Sequence, residues 1–163
     1  MIAFTMSGMY SVVDGLFVGK AAGDTGLAAI NIAWPIPAVI TAMGIGIGTG
    51  GSVLYSNMMG KGDRDGCRRM FNTTVTFLAL AGVLLSAVLF AARDPLLCIF
   101  GAEGEVMGQA RQYAGIIIAG SVLQVCGTGI TPLLRNMNLS FAAMISMVTG
   151  FVVNIAVNYY LMF

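Results

Sequence analysis

The sequence predicts an all-α integral membrane protein with about five transmembrane helices, arranged as one membrane domain over residues 1–163. Apolar residues make up 58% of the chain and charged residues only 9%, whereas soluble domains carry about 25% charged residues. A surface that faces water cannot be built from so few charges. The charges also fall in a few clusters separated by long apolar runs, as in membrane spans and their connecting loops.

Five apolar segments approach or exceed the length that a membrane span requires. A helix needs roughly 20 residues to cross an apolar core of about 30 Å. We predict spans at residues 1–18, 27–58, 70–92, 113–134 and 140–163. The second segment is too long for one straight perpendicular helix, and Pro35 and Pro37 within it lack a backbone donor. We therefore expect a kink or a short unwound turn near these prolines.

The loops between these spans divide the basic residues unevenly. One side of the membrane receives Lys61, Arg64, Arg68, Arg69 and Arg135, and the other receives Lys20, Arg93 and Arg111. By the positive-inside rule, the N-terminus lies in the cytoplasm and the chain is integral to the plasma or inner membrane. Within the loop predicted over residues 93–112, the mixed apolar and polar residues 95–100 predict a short segment lying at the membrane interface.

The residue types that would support an enzyme or a metal site are missing from the sequence. Histidine, the commonest metal ligand and general base, is absent, and no carboxylate pair or nucleophile arrangement replaces it. Cys67, Cys98 and Cys126 show no CxxC spacing, so neither a zinc site nor a disulfide framework is predicted. We therefore expect no catalytic residues, no metal and no cofactor.

Asp14 is the only carboxylate with a long apolar sequence before it and an apolar stretch, residues 16–18, after it. An ionisable group in the apolar core costs about 3 kcal/mol or more unless it has a partner, a wet cavity or a changed protonation state. Asp14 is therefore the first candidate for a cation or proton site. The alternative is that Asp14 lies hydrated at the end of its span and has no such role.

Asn154 and Asn158 lie four residues apart in the last predicted span, so they share one helix face. Ser146 and Gly150 continue the same polar and small stripe. Amide carbonyl groups can coordinate a cation or accept a hydrogen bond from a protonated carboxyl group. The alternative is that these residues hold helices together by hydrogen bonds. The residues alone favour neither reading.

Small and polar residues also recur in the second and fourth predicted spans. At helical spacing, the fourth carries Gly120, Gln124, Gly127, Thr128 and Thr131. This pattern is typical of helix contacts in lipid, although Gln124 is also a candidate pocket residue. The second span carries Gly44, Gly46, Gly48 and Gly50. Since the lysine of a phosphate loop is missing there, we predict that these glycines, with Pro35, serve helix packing or bending.

Several motifs resemble, in the same order, those of one family of transporters. YSVVDGLFVG, residues 10–19, and LAAINIAWPI, residues 27–36, resemble the opening of the multidrug and toxic compound extrusion (MATE) transporters. GIGIGTGGSVLYSNMMGKGD, residues 44–63, is similar to the family's glycine-rich second helix and the basic loop behind it. PLLRNMNLSFAAM, residues 132–144, and NIAVNYYLMF, residues 154–163, resemble its fourth loop and fifth helix.

The resemblance implies that the chain forms most of the N-terminal six-helix lobe of a two-lobe transporter. It implies secondary active export of organic or drug-like cations, with a sodium ion or a proton as the coupling ion. Asp14, Asn154 and Asn158 would then form the coupling-ion or proton site. One branch of the family has an aspartate at the position of Asn158, so Asp14 is left as the only carboxylate here. The candidate substrate-cavity residues are Tyr10, Asn31 and Gln124.

Two alternatives remain open at the level of sequence. One is a flippase of lipid-linked precursors or polysaccharides from the same superfamily, for which we expect a more basic cavity. The other is a non-transporting membrane scaffold or truncated fragment, in which Asp14 is dispensable. The expected partners are small organic cations, the lipid bilayer and a second lobe or second copy, with no nucleic acid. Because alternating access moves one bundle against another, we do not expect this chain to transport alone.

Overall fold

A computed structural model describes residues 23–137, 139, 141, 143–145 and 149 of the chain. Within these residues lie the helices α1 (Pro35–Gly60), α2 (Arg64–Ile99), α3 (Gly104–Ala119) and α4 (Ser121–Asn136). Helical residues 23–33 lead into α1. The first predicted span, residues 1–18, lies outside the described residues, and only a few residues of the fifth, 140–163, lie inside them.

The second predicted span, residues 27–58, corresponds to a helical segment of 38 residues, Gly23–Gly60. Pro35 lies in the first turn of α1, inside this longer segment, so its missing amide hydrogen removes one bond of the helical pattern. Trp34 before it keeps helical dihedral angles (φ −48°, ψ −38°), and its carbonyl group accepts a hydrogen bond from the Ala38 amide at 3.2 Å. The disturbance expected at the prolines is therefore confined to Trp34, and the chain does not unwind there.

α2, with 36 residues, extends beyond both ends of the third predicted span, residues 70–92. It begins after Asp63, whose Oδ1 accepts a hydrogen bond from the Gly66 amide at 2.8 Å and caps the helix. It continues through Pro95 to Ile99. The separate interfacial segment expected over residues 95–100 is therefore wrong. Hydropathy marks the part of a helix that crosses the apolar core, and the polar turns beyond that part remain helical.

The fourth predicted span, residues 113–134, is divided into α3 and α4, which meet at an angle of 55°. The segment predicted as the fourth span is therefore bent rather than straight. The break lies at Gly120 (φ −83°, ψ −3°), which ends α3 and precedes α4. Beside it, Ser86 of α2 donates a hydrogen bond from Oγ to the Ile118 carbonyl group at 3.0 Å. This bond satisfies a carbonyl in the last turn of α3 and ties the bend to α2.

Contacts between α1 and α4 show that these two helices run parallel. The hydrogen bond between Thr41 and Gln124 joins residues 83 positions apart. The hydrogen bond between Ser52 and Asn136, further along both helices, joins residues 84 positions apart. A nearly constant separation requires that both helices advance in the same direction.

α2 runs antiparallel to α1 and α4. Leu78 contacts Gly129. Ser86, further along α2, bonds Ile118, which precedes Gly129 in the chain. Residue numbers therefore fall along α3 and α4 as they rise along α2. Successive segments therefore alternate in direction, as membrane spans joined by short connections do. Gly23–Gly60 and Arg64–Ile99 are each long and apolar enough to cross a membrane, and the bent pair α3 and α4 adds a third span if it is taken as one.

Large apolar side chains point outward from the helices as well as inward. Leu84, Ile116 and Leu123 are 67%, 74% and 81% exposed, whereas Ile40 and Leu78 are fully buried. Soluble monomers rarely expose contiguous apolar surface of this extent. Contact with lipid hydrocarbon removes the cost of exposing it, so the outer surface agrees with a membrane location.

We expect a thiol reagent that cannot cross membranes to label Glu105→Cys but not Lys61→Cys in intact cells. These exposed positions flank opposite ends of α2, and the basic turn at Lys61 is expected in the cytoplasm. Gly62 and Gly104 are less suitable positions, because their φ angles of 73° and 54° favour glycine. The three native cysteines are replaced by alanine in both variants. Labelling of Lys61→Cys from outside contradicts the orientation.

Candidate functional site

Only part of the predicted site lies in the described residues. The residues outside them are Tyr10, Asp14, Asn154 and Asn158. Their assignment to the coupling site and the substrate cavity therefore stays a prediction. Asn31 and Gln124 are described, together with Pro35 and the glycines of α1. The site can accordingly be built from the contact between α1 and α4.

Gln124 of α4 is directed at α1. Its Nε2 atom donates a hydrogen bond to Thr41 Oγ1 at 3.1 Å, and both residues are half-buried. A neutral pair of this kind can join two helices in an apolar surrounding. Asn31 is exposed and lies earlier in the same helical segment, about 15 Å from Thr41 along the axis. The structure therefore does not bring Asn31 and Gln124 together.

Gly44 and Gly48 bring the backbone of α1 against the backbone of α4. A Cβ atom at Gly44 would lie 2.8 Å from the Val125 carbonyl oxygen, and one at Gly48 would lie 2.6 Å from the Gly129 Cα atom. On the α4 side, a Cβ atom at Gly129 would lie 2.9 Å from the Gly44 carbonyl oxygen. These positions have no room for a side chain. They permit the close helix approach that small residues give in membranes.

Gly46 and Gly50 do not take part in this contact. Among the residues that the structure describes, a Cβ atom at either position would meet nothing within 4 Å. Of the four glycines predicted to serve packing or bending, Gly44 and Gly48 therefore lie against α4, and Gly46 and Gly50 lie away from it. Since each glycine weakens a helix by about 1 kcal/mol relative to alanine, Gly46 and Gly50 make α1 easier to bend. Pro35 lies in the first turn of α1, and its role in packing or bending stays a prediction.

A second polar bridge, which the sequence reasoning missed, joins the far ends of α1 and α4. Asn136 donates from Nδ2 to the Ser52 carbonyl oxygen at 3.2 Å and to Ser52 Oγ at 2.7 Å. Ser52 is only 4% exposed. The sequence carries only half of this signal: Gly44, Gly48 and Ser52 recur every four residues on α1, but no pattern in α4 marks Asn136 as the partner of Ser52.

The two bridges and the glycine contact make α1 and α4 one unit. Gln124 and Asn136 lie about 18 Å apart along α4, and the backbone contact lies between them. Every side chain in these bridges is neutral. No group of three or more His, Cys, Asp or Glu residues that could hold a metal ion occurs in the part of the chain that the structure describes. The unit can therefore position helices and offer hydrogen bonds, while attraction of a cation by charge requires a carboxylate such as Asp14.

The sequence of almost the whole chain matches one family model, MatE, over residues 1–160. This chain belongs to the MATE family. A similar protein is the multidrug export protein MepA of Staphylococcus saprophyticus, which is 23% identical over all of this chain and 36% of MepA. Another MATE relative is the probable multidrug resistance protein NorM of Thermotoga maritima, which is 29% identical over 70% of this chain and 24% of NorM.

Solved MATE structures share the fold described above. A crystal structure of MATE in complex with MaL6 gives a TM-score of 0.90 at 28% identity, over 97% of this chain and 35% of that one. An outward-facing multidrug resistance MATE transporter of the MOP superfamily gives 0.84 at 27% identity, over the same shares. The predicted family and the predicted all-α membrane fold are thus confirmed. The chain spans about a third of the length of these MATE relatives.

Proposed function

We propose that this chain forms part of a transporter that exports organic or drug-like cations in exchange for sodium ions or protons. The observation that carries the proposal is the MatE match over residues 1–160, which includes Asp14, Asn154 and Asn158. MepA and NorM are named as a multidrug export protein and a probable multidrug resistance protein. In this proposal the transporter lies in the plasma or inner membrane, with its N-terminus in the cytoplasm.

Asp14, Asn154 and Asn158 form the coupling site in this proposal. The carboxylate attracts a sodium ion or a proton, and the amide carbonyl groups complete the coordination. An occupied site favours one arrangement of the helices over another, which couples ion entry to export. The residues assigned to substrate contact are Tyr10, Asn31 and Gln124.

The full-length transporter in lipid vesicles is expected to move ethidium against its concentration gradient when a sodium or proton gradient is imposed. Sodium and proton gradients are applied separately, and each is then collapsed with a selective ionophore. Ethidium transport should stop with the gradient that drives it. Transport that is unaffected by both ionophores contradicts ion coupling. Movement of a fluorescent lipid-linked sugar without movement of ethidium would instead support the flippase function.

A matched pair of variants separates substrate contact at Gln124 from helix packing. Gln124→Met and Thr41→Val both remove the same hydrogen bond between α4 and α1. If Gln124 contacts substrate, Gln124→Met should raise the apparent KM for ethidium, whereas Thr41→Val should leave it nearly unchanged. Melting temperatures measured on both variants report the shared loss of packing. Equal KM values in the two variants would assign Gln124 to packing alone.

A further inference from the structure

A groove between α2 and the segment of α3 and α4 has a polar end and a long apolar remainder. The polar part has a volume of about 540 Å³, with Arg93, Arg111 and Gln112 at one end and Ala119 at the other. At Ala119 it adjoins an apolar groove of about 530 Å³, whose lining includes Phe90 and reaches Val122. We refer to the two parts together as the arginine groove. Its shape and polarity match a molecule with a charged head and an apolar chain.

The Arg93 side chain is held in a defined position at the polar end of the arginine groove. Its guanidinium carbon lies 5.1 Å from the centroid of the Phe90 ring, and its Nε atom lies 3.2 Å from Asp94 Oδ1. A Cβ atom at Gly115 would lie 3.2 Å from Arg93 Nη1, so glycine leaves room for the guanidinium across α3. The side chain is only 16% exposed. Little rotamer freedom is therefore lost when it binds an anion.

Two guanidinium groups share one carboxylate at the polar end of the arginine groove. Asp94 also accepts a hydrogen bond from Arg111, between Oδ2 and Nη2, at 2.8 Å. One carboxylate thus faces two guanidinium groups, which leaves one positive charge in the cluster. Asp94 is not part of the groove lining, and neither are Glu103 and Glu105 at the same end of α3. Each guanidinium has five N–H donors in a planar fork suited to phosphate, so donors remain on both arginines.

The length of the arginine groove identifies its occupant. Along the helices, Arg111 and Val122 are about 16 Å apart, close to the depth of about 15 Å that one leaflet contributes to the apolar core. A packed helix would follow α2 across both leaflets, whereas one acyl chain ends within its own leaflet. We propose that the arginine groove binds one phospholipid with an anionic headgroup. Its phosphate contacts Arg93 and Arg111, and one acyl chain lies past Ala119 toward Val122.

Native mass spectrometry of the full-length transporter tests this lipid site with palmitoyl-oleoyl phosphatidylglycerol and the matching phosphatidylcholine. We expect phosphatidylglycerol to bind preferentially. Arg111→Gln should lower that preference about five-fold, the effect of one surface cation on an anionic lipid. Asp94→Asn should raise it, because it frees both guanidinium groups. Lys61→Gln, at the opposite end of α2, removes the same charge away from the groove and should lower the preference less than Arg111→Gln does.

A further variant tests the apolar part of the arginine groove. Ala119→Phe, at an exposed position, fills the point where the two parts meet and should reduce binding of both lipids. Melting temperatures confirm that each variant is folded. Equal binding of the two lipids, a fall in preference with Asp94→Asn, or a cross-link from Ile116→Cys to a second copy would overturn the proposal. Because lipid binding is measured without an ion gradient, failure here is distinct from failure of the transport proposal.

Discussion

Replacement of Gly48 by alanine is expected to lower the stability of the folded protein by about 3 kcal/mol, the upper end of the usual cost of overpacking. The added Cβ atom would lie 2.6 Å from the Gly129 Cα atom. A flexible side chain could rotate away, but a backbone atom can move only if α1 and α4 separate. Separation would also lengthen the hydrogen bonds of Gln124 and Asn136. Melting temperature and monodisperse yield in detergent measure the effect on the full-length protein.

Gly46→Ala is the matched control for Gly48→Ala. It adds the same atom to the same helix, but at a position where that atom meets nothing within 4 Å in the described part of the chain. Alanine stabilises a helix by about 1 kcal/mol relative to glycine. The melting temperature of Gly46→Ala should therefore equal or exceed that of the parent. If both variants lose stability equally, the cause is the flexibility of the glycine run and not the backbone contact with α4.

Asp14→Asn is expected to reduce gradient-driven ethidium transport to the level of empty vesicles. The substitution keeps the shape of the side chain but removes the charge that attracts the coupling ion. A neutral amide costs less to bury in the membrane than a carboxylate, so insertion and melting temperature should change little. Expression level, melting temperature and transport are measured on the same full-length preparation.

Asn158→Ala provides the comparison for Asp14→Asn. It removes an amide carbonyl group from the proposed coordination but leaves the carboxylate in place. Transport should therefore decrease less than in Asp14→Asn, and a higher sodium or proton concentration should restore part of it. Normal transport by Asp14→Asn would show that Asp14 is not the coupling residue. Loss of transport that accompanies loss of folding would assign Asp14 a structural role instead.

The helices that cross the apolar core follow directly from the sequence, because a long apolar run satisfies its backbone hydrogen bonds only as a helix. The spans predicted over residues 27–58 and 70–92 therefore contain most of α1 and the middle of α2. The first and last residues of these helices could not be predicted from the apolar runs in the same way. Polar residues such as Arg64 and Asp94 end the hydropathy signal, but they do not end the helix, since exposed polar side chains are compatible with helical backbone.

The bend at Gly120 and the bridge between Ser52 and Asn136 were beyond sequence reasoning for a different reason. Gly120 resembles the other glycines of its segment, and the break lies beside a hydrogen bond that Ser86 supplies from α2. The bridge joins residues 84 positions apart. Both depend on which helices become neighbours, which a periodic pattern within one helix does not specify. The residues predicted to form the coupling site lie outside the described residues, so their assignment stays a prediction.

The length of α2 has a consequence for the range of bilayers that the protein can occupy. Its 36 residues extend about 54 Å, which exceeds the apolar core by about 24 Å. A thicker or thinner bilayer therefore changes which helical turn meets the headgroups, and no loop has to stretch. Arg69 near one end and Arg93 near the other carry long side chains that can reach several ångströms toward the headgroups. Hydrophobic mismatch is thus absorbed by side chains, while the helix contacts in the membrane interior keep their geometry.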